Sequence, residues 1–203
     1  SYRDIVSATN DVKNGNWDCD KFIGRQVNHL NIGVIGYGRL GKMFVNYAKA
    51  FGAEVYIYDP YVDQSNFAKD INFVNSLSKL CNTVDAISLH VHVNNETKNM
   101  VNRDMLQNCK NNVSIINTSR GEIVNESDVL EFLSINKKSK YYADVISNEI
   151  NSKIESPIYN AFINNDMENQ ILITPHIGGM TQDAREIAYH HAADLLIDNF
   201  FYE

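Results

Sequence analysis

No run of lysines and arginines forms a basic stripe in these 203 residues, and 18 basic against 25 acidic side chains leave a net charge of -7. With a sequence pI near 5.3, a general polyanion binder is excluded, and nucleic acid is not an expected partner. Apolar runs are short as well, none approaching the ~20 residues that a membrane span requires. The N-terminal "SYRDIVSATN" lacks the apolar core of a signal peptide. Together these absences lead us to expect a soluble, cytoplasmic protein. Cysteine is scarce: Cys19, Cys81 and Cys109 are scattered, odd in number and without C-x-x-C spacing. Neither a disulfide framework nor a zinc site is suggested, and the three read as structural thiols. His190 and His191 have no paired cysteines or clustered carboxylates beside them, so they read as helix-surface residues and no metal is assigned. Internal repeats and low-complexity segments are also missing.

What is present is a 44% hydrophobic chain, long enough to bury roughly 70% of its unfolded surface around one core. From residue 30 onward, short β-branched runs alternate with helical patterns: "LNIGVIG", "EVYIYD", "INFV", "DAISLHV", "VSIINTS", "KYYADVI" and "ILITP". Such alternation is the signature of βαβ units, and most of these runs lack strict apolar/polar alternation, as strands covered on both faces do. The expected fold is α/β, a doubly wound Rossmann-type parallel sheet with helices on both faces. Residues 39–52 read as a crossover helix stopped at Gly52, and residues 125–136 as another, with Asn125 as N-cap. Residues 2–16 suggest a modest helix, followed by an irregular arm around Trp17. Residues 181–203 suggest an amphipathic helix that packs through Ala184, Ile187, Ala188, Ala192, Leu195 and Leu196.

The run "GVIGYGRLGKMF" carries Gly36, Gly38 and Gly41 in G-x-G-x-x-G spacing, directly after a strand and opening a helix. Gly36 allows the tight turn, Gly38 lets backbone approach a pyrophosphate, and Gly41 lets helix and strand pack. The helix N-terminus then offers N–H donors to the phosphates. Asp59 closes the next strand 59 − 41 = 18 residues after the last glycine, where an acid accepts hydrogen bonds from the adenosine ribose. A carboxylate there repels a 2′-phosphate, so the expected cofactor is NAD rather than NADP.

Arg120, Glu149 and His176 each fall just beyond an expected strand, on the carboxyl edge where ligands bind in open α/β sheets. Their types fit the reduction of a 2-keto acid. Arg120 supplies a planar fork for the carboxylate and can polarise the carbonyl oxygen. His176 can deliver the proton, and take it back in reverse, while Glu149 orients and charges the imidazole.

In these residues the sequence resembles the D-2-hydroxyacid dehydrogenase family, and within it the phosphoglycerate dehydrogenase branch. The resemblance is carried by "GYGRLG" with "YDPY", then "LHVHVNNETKNMVN", "INTSRGEIVNESDVLEFL", "ADVISNE", "SPIY" and "ITPHIGGMTQDA", in the family's order over residues 31–190. It implies that Arg120 is the catalytic arginine, Glu149 the carboxylate partner and His176 the acid/base. It further implies that Arg39 and Leu40 offer backbone amides to the pyrophosphate, that His90 and Val91 line the adenine side, and that Thr118 and Asp144 lie near the nicotinamide. Gly178 and Gly179 would let the histidine loop approach closely. By the same resemblance the substrate is a D-2-hydroxy acid or 2-keto acid, and the protein is a homodimer paired through this domain and the Trp17 arm. An alternative within the family is an NAD-sensing scaffold or corepressor.

Two local departures stand out. His92 and Ile150 take positions where the family commonly has proline, and "NAFINNDMENQ" suggests a longer loop between Glu149 and His176. A larger one concerns organisation: residues 1–30 read as a linking helix and arm, 31–180 as the NAD-binding domain and 181–203 as a C-terminal helix. The family's substrate domain is largely missing from the chain, so the isolated piece is expected to bind NAD without turning over substrate. Formate is disfavoured as a substrate, because formate dehydrogenases of this family carry an amide where Glu149 stands.

Overall fold

The computed structural model describes residues 2–63, 71–167 and 169–201. Seven parallel strands form one sheet: β1 (Asn31–Ile35), β2 (Glu54–Tyr58), β3 (Asn72–Phe73), β4 (Ala86–Leu89), β5 (Ser114–Asn117), β6 (Lys140–Ala143) and β7 (Ile171–Ile173). Their order is β3-β2-β1-β4-β5-β6-β7. The chain winds outward from β1 in one direction and then, from β4, in the other, so the order reverses between β1 and β4. A crevice opens at that switch point, above the carboxyl ends of the strands.

Side chains that alternate along the strands feed two cores. Ile32 and Val34 of β1, with Val55 and Ile57 of β2, pack beneath Val45 and Ala48 of helix α2 (Arg39–Ala50). On the opposite face Ile87 and Leu89 of β4, Ile115 of β5 and Tyr141 of β6 meet α3 (Leu77–Thr83), α4 (Arg103–Leu106), α5 (Glu126–Ile135) and α6 (Pro157–Ile163). Each buried valine, isoleucine and leucine among them contributes roughly 1.5–3 kcal/mol through burial. Four helix starts are set by side-chain caps. Ser76, Asn102, Asn125 and Ser156 accept the N–H of Lys79, Met105, Asp128 and Tyr159, at 3.1 to 3.2 Å.

The amino edge of the sheet is tied to the N-terminal segment, which includes helix α1 (Ile5–Lys13). Buried Asp85 accepts the N–H of Asn31 at 3.0 Å and pairs with Lys110 at 3.0 Å and Arg25 at 3.5 Å, while the Tyr2 hydroxyl donates to the Asp85 carbonyl. Asp4 pairs with Lys140.

Three expectations change. Helix α7 (Gln182–Phe201) forms, with residues 202–203 outside the described residues, but its described side chains are all exposed. It packs as no amphipathic helix does here, because Tyr189, Ile197 and Phe200 lie off the Ala184–Leu196 face and spread apolar surface around it. That distribution suits a helix covered on several sides. The "NAFINNDMENQ" segment is less of a loop than expected, since Pro157 at N1 and the Ser156 cap start α6 and take Asn160 to Ile163 into it; Glu168 lies outside the described residues. Finally, Cys19 is exposed on the arm, whereas Cys81 is buried and Cys109 half-buried beside it in the core.

Candidate functional site

The glycine loop is shaped by close approaches. Gly36 sits at φ +93°, and a Cβ there would lie 2.5 Å from the His90 carbonyl oxygen. At Gly41 a Cβ would lie 2.1 Å from the Gly36 oxygen, so only glycine lets α2 settle on the end of β1. Gly38 differs: a Cβ there would meet nothing within 4 Å. It is also the N-cap of α2, and among the described residues no side chain caps that end. The first-turn N–H groups, those of Arg39 and Leu40 among them, thus face open space with the positive end of the helix dipole behind them. An uncapped helix start beneath an open glycine fits a pyrophosphate. Asp59 is fastened to the same loop, with one oxygen accepting the Tyr37 N–H at 2.8 Å and the other the Tyr61 N–H at 2.9 Å.

From this loop a groove of about 1160 Å³ runs along the carboxyl ends of β4, β5 and β6. Arg39, Leu40, His90, Val91, Thr118, Arg120, Glu149 and His176, eight of the residues singled out from sequence, line it together. The His90 ring itself turns inward, with Nε2 2.9 Å from the Ser88 Oγ and the ring 5.0 Å from that of Phe44. Burial lowers its pKa, so the imidazole is a neutral packing element while its backbone borders the groove.

Arg120 stands three residues beyond β5. Its turn is fixed from below: Asn117 donates to the Arg120 carbonyl at 2.9 Å and accepts the Ser119 N–H at 3.1 Å, and the Ser119 hydroxyl donates to the Leu89 carbonyl at 2.6 Å. The guanidinium is exposed, donates to the Ser119 carbonyl at 2.6 Å, and has no carboxylate partner among the described residues. A fork held on a rigid turn with no anion of its own is available to an incoming carboxylate.

His176 adopts φ +54°, a left-handed conformation uncommon for histidine. Asp144 holds the loop that imposes it. One Asp144 oxygen accepts the Thr174 hydroxyl and the Ile177 N–H at 2.9 Å, and the other accepts the Gly178 N–H at 2.7 Å. Burial alone would raise the Asp144 pKa, but these three donors and the neighbouring His176 outweigh it and hold the carboxyl below its ordinary value. A Cβ at Gly178 would lie 3.0 Å from that carboxylate, while one at Gly179 would meet nothing within 4 Å. The His176 ring points back across the groove, its Nδ1 2.6 Å from the Glu149 Oε1. A carboxylate can only accept, so Nδ1 carries the proton of that bond and Nε2 is left toward the groove.

Some of the site was not readable from sequence. The Tyr61 hydroxyl bonds to Glu96, linking the end of β2 to the loop after β4, and because β1 lies between those strands the bond spans the crevice mouth. An apolar cavity of about 490 Å³ behind His176 is walled by Ile146, Tyr159, Phe162 and Ile173. Both depend on long-range placement and leave no local motif. Among the described residues no group of three histidine, cysteine or acidic side chains is placed to hold a metal.

Residues 1–178 match the family model described as D-isomer specific 2-hydroxyacid dehydrogenase, NAD binding domain. The chain belongs to this family. It is 32% identical over 187 residues to a D-3-phosphoglycerate dehydrogenase of Methanocaldococcus jannaschii, covering 92% of this chain and 34% of that protein. A hydroxypyruvate reductase of Thermotoga maritima is 30% identical over 188 residues, with 90% and 57% covered. Among solved structures, the D-lactate dehydrogenase of Aquifex aeolicus complexed with NAD and lactic acid superposes with a TM-score of 0.85 at 27% identity, over 97% of this chain and 61% of that one. The chain thus spans about a third of the length of the first of these curated relatives. As a domain of this family it is an NAD-binding Rossmann fold.

Proposed function

We propose that the protein is an NAD-dependent D-2-hydroxyacid dehydrogenase, in which this chain supplies the cofactor site and the catalytic side chains. The observation that carries the reading is the 2.6 Å contact of His176 with Glu149, in one groove with Arg120 and with the start of α2. The cofactor, bound along Gly36 to Gly41, would supply the hydride. Arg120 holds the substrate carboxylate with its fork and polarises the keto oxygen. His176 Nε2 gives that oxygen its proton as the carbonyl carbon is reduced, and takes it back in the reverse direction. Glu149 keeps the ring oriented through Nδ1 and stabilises its charged form. Asp59 selects NAD, since a 2′-phosphate would meet its carboxylate with like charge. Three converging polar groups favour this reading over a dinucleotide-sensing scaffold, which needs none of them.

The test is steady-state oxidation of NADH by the full-length protein with hydroxypyruvate, pyruvate and the keto acid of 3-phosphoglycerate. Arg120→Lys keeps the charge but not the fork, and should lower kcat/KM by roughly 10²-fold with NADH affinity nearly unchanged. Intact turnover in that variant would make Arg120 a surface residue and defeat the assignment. We place the enzyme in the cytoplasm as a homodimer with no nucleic-acid or membrane partner. The dimer is supported by Trp17, which is 89% exposed on the arm, and by the open apolar side of α2. No helix among the described residues is long and apolar enough to cross a membrane.

A further inference from the structure

Glu126 is a carboxylate in the interior, 5% exposed, at the first position of α5. Its Oε1 accepts the Ser147 N–H at 2.8 Å, and its Oε2 accepts the Ser156 hydroxyl at 2.6 Å and the Ile158 N–H at 3.4 Å. It therefore lies between the starts of α5 and α6, where both helix dipoles favour a negative charge. A buried carboxylate is costly to desolvate unless donors surround it, and here they do.

The positions of those donors matter most. Ser147 and Ser156 are the two ends of the loop that carries Glu149. One residue before Ser147, the Ile146 N–H points instead at the Glu149 Oε2, 3.4 Å away. Successive N–H groups just beyond β6 are thus shared between Glu126 in the core and Glu149 in the groove. The Arg120 turn meets the same joint, since a Cβ at Gly121 would lie 2.1 Å from the Ile146 carbonyl carbon.

We propose that Glu126 is a positioning residue: by closing both ends of the 147–156 loop on one buried carboxylate, it sets Glu149 against His176. This rests on the reading of Glu149 and His176 as the acid/base pair. Glu126 itself touches neither groove nor substrate.

The experiment reads the geometry directly. In the wild-type chain the ¹⁵N shifts of the His176 ring should report the Nδ1–H tautomer, and Glu149→Gln should mix the tautomers. Glu126→Gln keeps the side-chain shape but loses one acceptor, and should move His176 toward the Glu149→Gln pattern while adding little in the double variant, because both act through one contact. Asn125→Ala is the control: it removes the adjacent helix cap, lowers stability, and should leave the His176 shifts in place. If Glu126→Gln does not fold, Ser156→Ala should shift the ring in the same direction and Ser156→Thr should restore it. In the full-length enzyme Glu126→Gln should lower kcat by roughly tenfold or more with NADH affinity kept within about twofold. Destabilisation with unmoved His176 shifts, in Glu126→Gln or in Ser156→Ala, overturns the inference and leaves Glu126 as a fold residue. Absent keto-acid turnover in the wild type would instead defeat the dehydrogenase reading, and the ring shifts would still decide the role of Glu126.

Discussion

Gly38 and Gly41 lie three residues apart in one motif, yet the chain needs them for different reasons. A methyl at Gly41 would sit 2.1 Å from a backbone oxygen, which cannot yield without moving α2 off β1. A methyl at Gly38 would meet nothing within 4 Å among the described residues, so a bound ligand is what would feel it. Gly41→Ala should therefore lower both the melting temperature and NADH affinity. Gly38→Ala should leave the melting temperature within a few degrees while weakening NADH at least tenfold; thermal unfolding and calorimetric titration on both variants separate the two roles. A fold loss in Gly38→Ala, or unchanged NADH affinity, would show that its open side is not where the pyrophosphate sits. At Asp59 the prediction is one of preference: Asp59→Ala should narrow the NADH over NADPH discrimination measured by the same titration. These residues were legible because their constraints are local. The spacing of the glycines and the acid after β2 reports turn geometry, and turn geometry is what the structure shows.

Elements were legible in proportion to how much of their information is local. All seven strands fall on the apolar runs from which they were expected, α2 ends beside the expected Gly52 stop, and α5 begins at its expected Asn125 cap. The shorter helices α3, α4 and α6 span seven, four and seven residues, too few turns for periodicity to separate from noise. Their signals were Ser76, Asn102 and the Ser156-Pro157 pair, each a cap preceding a helix. At the candidate site Arg120, Glu149 and His176 were visible as types beyond strand ends. Their assembly was not, because it depends on Asp144 gripping the histidine loop 32 residues downstream (176 − 144) and on Glu126 gripping the loop of Glu149. The cap on α5 makes a quantitative case. Asn125 accepts the Asp128 N–H at 3.2 Å, so Asn125→Ala should cost about 1 kcal/mol in a denaturant titration with an unchanged slope.

Two buried carboxylates bind the molecule together at opposite edges of the sheet, Asp85 at the amino edge and Asp144 at the carboxyl edge. Burial raises both pKa values, but donors reverse the sign. For Asp85 these are the Asn31 N–H, Lys110 and Arg25, so each folded carboxyl lies below its ordinary value. A depressed folded pKa contributes stability that is complete above the ordinary value of about 3.8 and is lost as pH falls through the folded one. The chain should therefore hold its stability down to about pH 4 and lose it below. Asp85→Asn should flatten that acid limb and also weaken the hold on Arg25, loosening the N-terminal segment in hydrogen exchange. An acid limb as steep in the variant as in the wild type would place the titration elsewhere.

Like the exposed helix α7, the outer side of α2 is a feature of the described residues that a solitary chain does not explain. Leu40, Met43, Tyr47 and Phe51 recur at helical spacing on one face, and all four are exposed, Phe51 at 71%. Exposed apolar residues scattered singly need no account, but a stripe at helical spacing, with Trp17 also exposed on the arm, marks a surface meant to be covered. Aromatic and methionine side chains are the types enriched in the cores of such interfaces. The net charge of -7 opposes random association at neutral pH, so a pairing that persists must draw on specific apolar burial rather than on charge. The proposed homodimer supplies that cover by a two-fold contact in which each copy offers the same stripe. Light scattering at micromolar concentration should report twice the chain mass. Replacing Tyr47 and Phe51 together by glutamate places like charges opposite one another across the axis and should yield monomers. Circular dichroism of that variant should still show the folded Rossmann domain, since neither ring belongs to the two cores beneath the sheet. A wild-type chain that scatters as a monomer, or a double variant that remains dimeric, would remove α2 from the interface.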